Sequence, residues 1–136
     1  MKILFVLFSL LLINFLSEAQ DKNLTGTWNI IECAYTTADG TEPIMVDEIA
    51  AGTAISDYAF MEDGTYKLVT NMSGSGTTDT YDGTWNTSGN KLIMTLTVNG
   101  QSMEIEWVYE FKEDILVLSR TSPDGNMSVA NSFRKK

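Results

Sequence analysis

The sequence predicts an all-β protein whose eight short antiparallel strands follow one another as an up-and-down meander. After residue 24, runs of strand-forming residues alternate with turn signals, and no helical period is sustained. Within 101–112, apolar residues share one parity and glutamates share the other. Asn99-Gly100 is the strongest hairpin signal, because a type I′ turn needs positive φ at both central positions.

The predicted strands are separated by short polar turns, and most of the connections are tight. The strands are expected at 25–35, 54–61, 65–72, 80–87, 91–98, 101–112, 115–121 and 126–135. Segment 73–79, SGSGTTD, is a small polar connection. The stretch 36–53 is the exception, because Ile44, Ile49 and Ala50 indicate one or two helical turns between the first two strands.

The hairpin at 91–112 is predicted to have one apolar face and one wet face. The apolar face would contain Leu92, Met94, Leu96, Val98, Met103, Ile105, Trp107, Tyr109 and Phe111. Glu104, Glu106 and Glu110 have the opposite parity and should face solvent. The two apolar runs should lie together across the Asn-Gly turn, which sets the register.

A Gly-Thr-aromatic triplet occurs three times in the chain. The triplets lie at 26–28, 64–66 and 83–85. Asp63-Gly64 and Asp82-Gly83 are 19 residues apart, about the length of one hairpin. We interpret these glycines as turn or bulge positions after which the chain re-enters a strand, and not as a sign of duplicated domains.

The chain of 136 residues is long enough for one domain, and residues 1–19 are predicted to be a secretory signal peptide. Lys2 precedes an apolar run at 3–16, and small residues lead to a cleavage site after Ala19. The run is short for a membrane span. We therefore expect the domain, 20–136, to be secreted or periplasmic, monomeric and not inserted in a membrane.

The charge of the chain argues against nucleic acid as a partner. The formal net charge is −9, and it stays at −9 without the first 19 residues, because Lys2 and Glu18 cancel. An acidic surface repels phosphate backbones, and the sequence has no large Lys/Arg cluster to oppose that repulsion.

The residue types also argue against an enzyme, a metal site or a cofactor. Histidine is absent, and Cys33 is the single cysteine, expected to be buried on one face of a strand and unable to form an internal disulfide. Glu104 and Glu106 are solvated carboxylates, which make poor general acids at neutral pH. Asp124 and Asn126 provide too few oxygens for calcium and fit turn chemistry better.

The order GTW, DGTY, GTW, LVL resembles the small lipocalin-like domain proteins that Gram-negative bacteria export, and Gly26-x-Trp28 resembles the lipocalin entry motif. The resemblance implies that the meander closes as a lipocalin-like barrel, closed near Gly26 and Trp28 and open opposite. It also implies a structural basic residue over Trp28, with Arg134 as first choice and Arg120 as second. A second lipocalin motif and a disulfide are missing from this sequence.

An eight-stranded barrel is either filled by side chains or holds one small ligand. Tyr and Trp carry polar groups that a purely structural core rarely needs, so we predict a binding protein for a small, largely apolar molecule. The predicted ligand-binding residues are Tyr66, Trp85, Met94, Leu96, Met103, Ile105, Trp107 and Tyr109. The alternative is a filled barrel that acts as an interaction or inhibitor module and contacts a protein partner through 36–53 and 73–79.

Overall fold

The computed structural model describes residues 20–72 and 76–136, which form a closed antiparallel β-barrel. Its strands are β1 Gly26–Thr37, β2 Gly40–Ile44, β3 Ile55–Phe60, β4 Thr65–Asn71, β5 Asp79–Ser88, β6 Lys91–Val98, β7 Gln101–Lys112, β8 Ile115–Thr121 and β9 Ser128–Lys135. A 3-10 helix, Lys22–Leu24, precedes β1, and one α-helix, α1 (Val46–Ala51), follows β2. The predicted signal peptide, 1–19, and residues 73–75 of the predicted connection lie outside the described residues.

Eight of these strands form the barrel, in the order β1-β3-β4-β5-β6-β7-β8-β9, and β9 pairs back on β1. Each strand is antiparallel to its neighbours. The prediction of an all-β, eight-stranded up-and-down barrel is therefore confirmed. We call the end where β1 begins the lower end, and the end that carries the Asn99-Gly100 turn the upper end.

The ninth strand, β2, was not predicted. β3 pairs with β1 only over Gly26–Trp28, so the upper part of β1 has a free edge. The chain folds back on that edge, and β2 pairs with Cys33–Thr37. Helical turns were predicted for 36–53, and the structure forms them only in α1, which ends at Gly52 with φ 75. A strand satisfies a free backbone edge, and this explains why the first part of this stretch forms β2.

The hairpin of β6 and β7 has the predicted bounds and register. Its facing pairs include Leu92 with Trp107, Met94 with Ile105 and Leu96 with Met103. Asn99 has φ 51 and Gly100 has φ 78, as a type I′ turn requires. The glutamates of β7 are exposed, and Glu106 forms a surface ion pair with Lys91 at 3.1 Å.

The two Asp-Gly pairs have different roles. Asp63-Gly64 forms the predicted turn between β3 and β4, where Gly64 has φ 86. Asp82-Gly83 lies inside β5, so the interpretation of this pair as a turn is wrong. A Cβ at Gly83 would collide with the Thr95 carbonyl oxygen and lie 2.8 Å from the Tyr66 ring. Glycine is therefore needed here for close approach between strands.

The hydrophobic core lies inside the barrel, and its lower part is rich in aromatic rings. The Phe60 ring lies 5.4 Å from the ring of Tyr58 and 5.4 Å from that of Trp85, and Phe133 lies 5.5 Å from Tyr58. Cys33 is buried in the same core, as predicted. None of the helices within 20–72 and 76–136 is long and apolar enough to cross a membrane.

Candidate functional site

The lower end of the barrel is closed by the segment before β1. Leu24 is fully buried, and its carbonyl oxygen accepts a hydrogen bond from Trp28 Nε1 at 2.8 Å. Lys135 Nζ lies 5.4 Å from the centroid of the Trp28 ring. A Cβ at Gly26 would lie 2.6 Å from Lys135 Cε. Gly26 and Trp28 therefore stand at the closed end, as the resemblance implies.

The cation over Trp28 is Lys135, so the prediction of Arg134 in this place is wrong. In the ladder between β1 and β9, Trp28 opposes Lys135 and Asn29 opposes Arg134. Facing residues in a ladder point to the same side of the sheet, and successive residues alternate. Arg134 is accordingly exposed, on the side opposite to Trp28. The second choice, Arg120, lies over a different tryptophan, Trp107.

Six of the eight predicted ligand-binding residues belong to the buried core, and two of these six have their polar atoms hydrogen-bonded. Leu96 and Trp107 are described below, and the other four are Tyr66, Trp85, Met94 and Tyr109. Trp85 Nε1 donates to the Met61 carbonyl oxygen at 3.0 Å, and the Tyr109 hydroxyl lies 2.9 Å from Asp21 Oδ2. Their packing stabilises the barrel; ligand contact at these four residues stays a prediction.

Of the remaining four predicted residues, Leu96, Met103 and Ile105 lie toward the Asn99-Gly100 turn, and Trp107 lies opposite Leu92. Leu96 and Trp107 are buried, Ile105 is half-buried and Met103 is 52% exposed. Several half-buried apolar side chains pack beside them against the core. We call this region the upper interior, and its half-buried apolar residues are Leu68, Met72, Tyr81, Val98, Ile105 and Val129. The structure thus separates a packed lower part from an incompletely covered upper part.

Three polar groups that the sequence analysis did not select as ligand contacts belong to the upper interior. Arg120 Cζ lies 5.2 Å from the centroid of the Trp107 ring. Trp107 Nε1 and Asn131 Oδ1 are buried, and neither has a hydrogen-bond partner within the described part of the chain. The parity of β8 was a usable signal, because Arg120 shares the face of the buried Leu116 and Leu118.

Tyr58 is buried in the aromatic lower part of the core, opposite Trp28 in the ladder of β1 and β3. Burial raises the pKa of its hydroxyl far above the ordinary value, the neighbouring Tyr66 adds to the rise, and the positive charge of Arg120 opposes it. The Arg120 charge therefore acts on the barrel interior and not only on the surface. At neutral pH the Tyr58 hydroxyl remains protonated and can donate a hydrogen bond.

A cavity of about 200 Å³ opens at the rim of the upper interior. It is lined by Tyr35, Arg120, Thr121, Ser122, Pro123, Met127 and Val129. Tyr35 is 38% exposed and Met127 is 47% exposed, so these side chains stand partly in solvent at the entrance.

The described residues contain no group of three or more His, Cys, Asp or Glu side chains that is placed to hold a metal ion. Asp124 accepts hydrogen bonds from the Ser122 hydroxyl and the Asn126 backbone N–H, which is turn chemistry. Burial raises the pKa of the Cys33 thiol, and the adjacent Glu32 raises it further. This thiol is a poor nucleophile at neutral pH.

These features define a class: a small antiparallel barrel, plugged at one end and incompletely covered at the other. A family model described as a lipocalin-like domain matches residues 24–118. The chain belongs to the lipocalin-like domain family. A search of curated proteins found no match.

Two solved structures from Bacteroides species show the same fold at low sequence identity. A lipocalin-like protein from Bacteroides uniformis is 19% identical, with a TM-score of 0.53, and the match covers 84% of this chain and 99% of that one. A protein from Bacteroides eggerthii is 15% identical, with a TM-score of 0.51, over 82% of this chain and 98% of that one. The fluorescent protein UnaG gives a TM-score of 0.48 at 15% identity, over 85% and 98% of the two chains.

Proposed function

We propose that this protein binds a small, largely apolar molecule in the upper interior of its barrel. The observation that carries the proposal is the contrast between the two halves of the core. Below, aromatic rings pack against one another; above, six inward apolar side chains are only half-buried. Membership of the lipocalin-like domain family supports the same conclusion.

The physical basis of binding would be the covering of this apolar surface. Removing it from water contributes about 25 cal/mol per Å². The rim cavity of about 200 Å³ is smaller than the roughly 300–1,000 Å³ of common ligand sites. Met103 and Met127 stand exposed at the upper end, and flexible thioether chains repack at low cost. We infer that a ligand displaces these two side chains as it enters.

The proposal is a binding function without catalysis, in an exported protein. Support for the first part comes from the sequence, which has no histidine, and from Cys33, which is buried. Support for the second is the signal-peptide pattern that ends at Ala19. The intact mass of the exported protein should correspond to a chain that begins at Gln20, and a retained leader would contradict export by this route.

The test is a titration of residues 20–136 with Nile red, a neutral hydrophobic dye. We expect saturable binding with a rise in dye emission. Met103→Glu should weaken it, because a carboxylate then stands in the upper interior. Val108→Glu is the matched control: Val108 is 41% exposed on the outer face of the same strand, so binding should persist. Circular dichroism verifies that both variants fold. No saturable binding to the wild type would reject the proposal.

The second candidate function, a protein-interaction module, is favoured by one feature outside the barrel. A groove of about 300 Å³ lies beside β1, β2 and α1. It is lined by Ile31, Glu32, Pro43, Ile44, Val46 and Ile49. Val46 is 56% exposed there. Dye binding that is lost in Val46→Glu and kept in Met103→Glu would favour this outer groove over the upper interior.

A further inference from the structure

We propose that the ligand of the upper interior carries a carboxylate head, and that Arg120 and the indole N–H of Trp107 hold this head. The inference rests on the proposed function and specifies the chemical class of its ligand: an amphiphile with an apolar tail and one carboxylate, of which a long-chain carboxylic acid is the simplest example.

Arg120 faces the interior without a carboxylate partner. It pairs with Val129 across the ladder of β8 and β9, and its guanidinium lies over the Trp107 ring. The ion pairs found in the described parts of the chain are Lys91–Glu106 and Lys112–Glu110, and Arg120 belongs to neither. Its side chain is still exposed, so water solvates the charge in the present state.

A ligand that fills the upper interior would remove this water from Arg120. An uncompensated buried charge is strongly unfavourable, so a neutral ligand that covered the guanidinium would bind poorly. A ligand that brings its own anion avoids the penalty and forms charge-assisted hydrogen bonds. A carboxylate matches the planar guanidinium fork in a bidentate geometry.

Trp107 provides a second donor for the same head. Its side chain is only 9% exposed, and its Nε1–H is buried without a hydrogen-bond partner within 20–72 and 76–136. Buried donors in folded proteins are nearly always paired, so this vacancy needs an explanation. A carboxylate oxygen placed at the Trp107 Nε1–H would satisfy it, beside the guanidinium that already lies over the ring.

One more polar side chain faces the same region. Asn131 lies opposite Leu118, one inward position below Val129, and its Oδ1 is buried and unpaired. An amide flip would present its N–H₂ group instead. The half-buried apolar residues of the upper interior then remain for the tail.

The overall charge of the molecule favours a monoanion over a phosphate-type dianion. The net charge is −9, so the field of the whole protein does not attract anions, and Arg120 must act locally. One guanidinium can neutralise one carboxylate, but it leaves a dianion half-compensated. Binding of the acid should therefore depend only weakly on salt once the head is buried.

The test compares two probes that differ only in the head: dansyl-labelled undecanoic acid and its methyl ester. With wild-type protein, the acid should bind more tightly than the ester. Arg120→Gln should weaken acid binding by about tenfold to a hundredfold, as expected for loss of a charge-assisted bond, and leave ester binding unchanged or tighter. Trp107→Phe keeps the ring and removes the donor, and should weaken the acid by about threefold to tenfold.

Arg134→Gln is the matched control, because it removes the same charge from an exposed, outward position and should leave the acid affinity unchanged. If Arg134→Gln and Arg120→Gln weaken acid binding equally, the effect comes from the net charge of the protein and the inference is overturned. Equal binding of acid and ester, unaffected by Arg120→Gln, would overturn it while the proposed function survives. No binding of either probe or of Nile red would reject both.

Discussion

At the scale of single residues, two exposed neighbours at the end of β9 show how much depends on parity. Lys135 and Arg134 are neighbours in the chain, but only Lys135 lies over Trp28. The indole N–H of Trp28 is bonded to the Leu24 carbonyl oxygen, and its ring lies 6.0 Å from that of Phe111. Trp28 thus joins the segment before β1, the strand β7 and the end of β9.

Trp28→Ala should destabilise the protein by about 3–5 kcal/mol, because it opens a large cavity at the closed end and leaves a buried carbonyl without its donor. Denaturant unfolding followed by circular dichroism measures the loss. Lys135→Ala should cost about 0.5–1 kcal/mol through the lost cation–π contact. Arg134→Ala is the control and should change stability by less than about 0.5 kcal/mol. A cost below about 1 kcal/mol for Trp28→Ala would contradict this role.

At the scale of elements, the turn sequence and the strand alternation of the β6–β7 hairpin specify the same structure. The Asn-Gly turn and the alternation on both strands each specify the same register, and a slip by one residue would turn the apolar face outward. β2 shows the opposite case. Its sequence, GTEPI, contains a proline and little alternation, and it is a strand only because β1 offers a free edge.

The turn itself can be tested through Gly100, which has φ 78 and open space around its Cα. Gly100→Ala should cost about 1–2 kcal/mol, because a Cβ strains the left-handed backbone without causing any clash. Gly100→Asn should cost less, since Asn tolerates positive φ. Equilibrium unfolding of the two variants gives the comparison. Equal costs would mean that turn conformation does not limit the stability of this hairpin.

At the scale of the whole molecule, the barrel buries three tyrosines whose pKa values are all raised. Burial is the largest cause for Tyr58, Tyr66 and Tyr109, and the hydrogen bond to Asp21 adds to the rise for Tyr109. The folded protein therefore holds these protons more tightly than the unfolded chain, in which tyrosine ionises near pH 10. Folding stability is linked to this difference.

The stability contributed by these groups is fully present below about pH 10 and is lost as pH rises further, because the unfolded chain then gains by ionising. We expect the free energy of unfolding to be steady between about pH 6 and 8, to decline slightly once the Cys33 thiol of the unfolded chain ionises at about pH 8.5, because burial raises the pKa of this thiol in the folded protein, and to fall steeply above about pH 10. Tyr58→Phe should make the fall less steep. Denaturant unfolding at a series of pH values tests this, and a fall that is unchanged in Tyr58→Phe would contradict the assignment to Tyr58.

The sequence by itself determined the class of fold and most strand bounds, because strand alternation and turn chemistry are local properties. β6, β7 and β8 lie where the sequence predicts them, and the wet glutamate face of β7 follows from parity alone. The resemblance to lipocalin-like domain proteins also came from local motifs such as Gly26-x-Trp28, and the match of the family model over residues 24–118 confirms it.

The tertiary structure decided which residues meet inside the barrel, because closure pairs β1 with β9, from opposite ends of the domain. That register selects Lys135 for Trp28, and an irregularity between Ile30 and Glu32 turns Cys33 to the same interior as Trp28 despite its opposite parity. Burial along each strand divided the predicted site residues between a packed lower part and the upper interior. The contact between Arg120 and Trp107 has the same origin. The depth of a side chain in a closed barrel depends on all eight strand pairings together, and no single strand encodes these pairings.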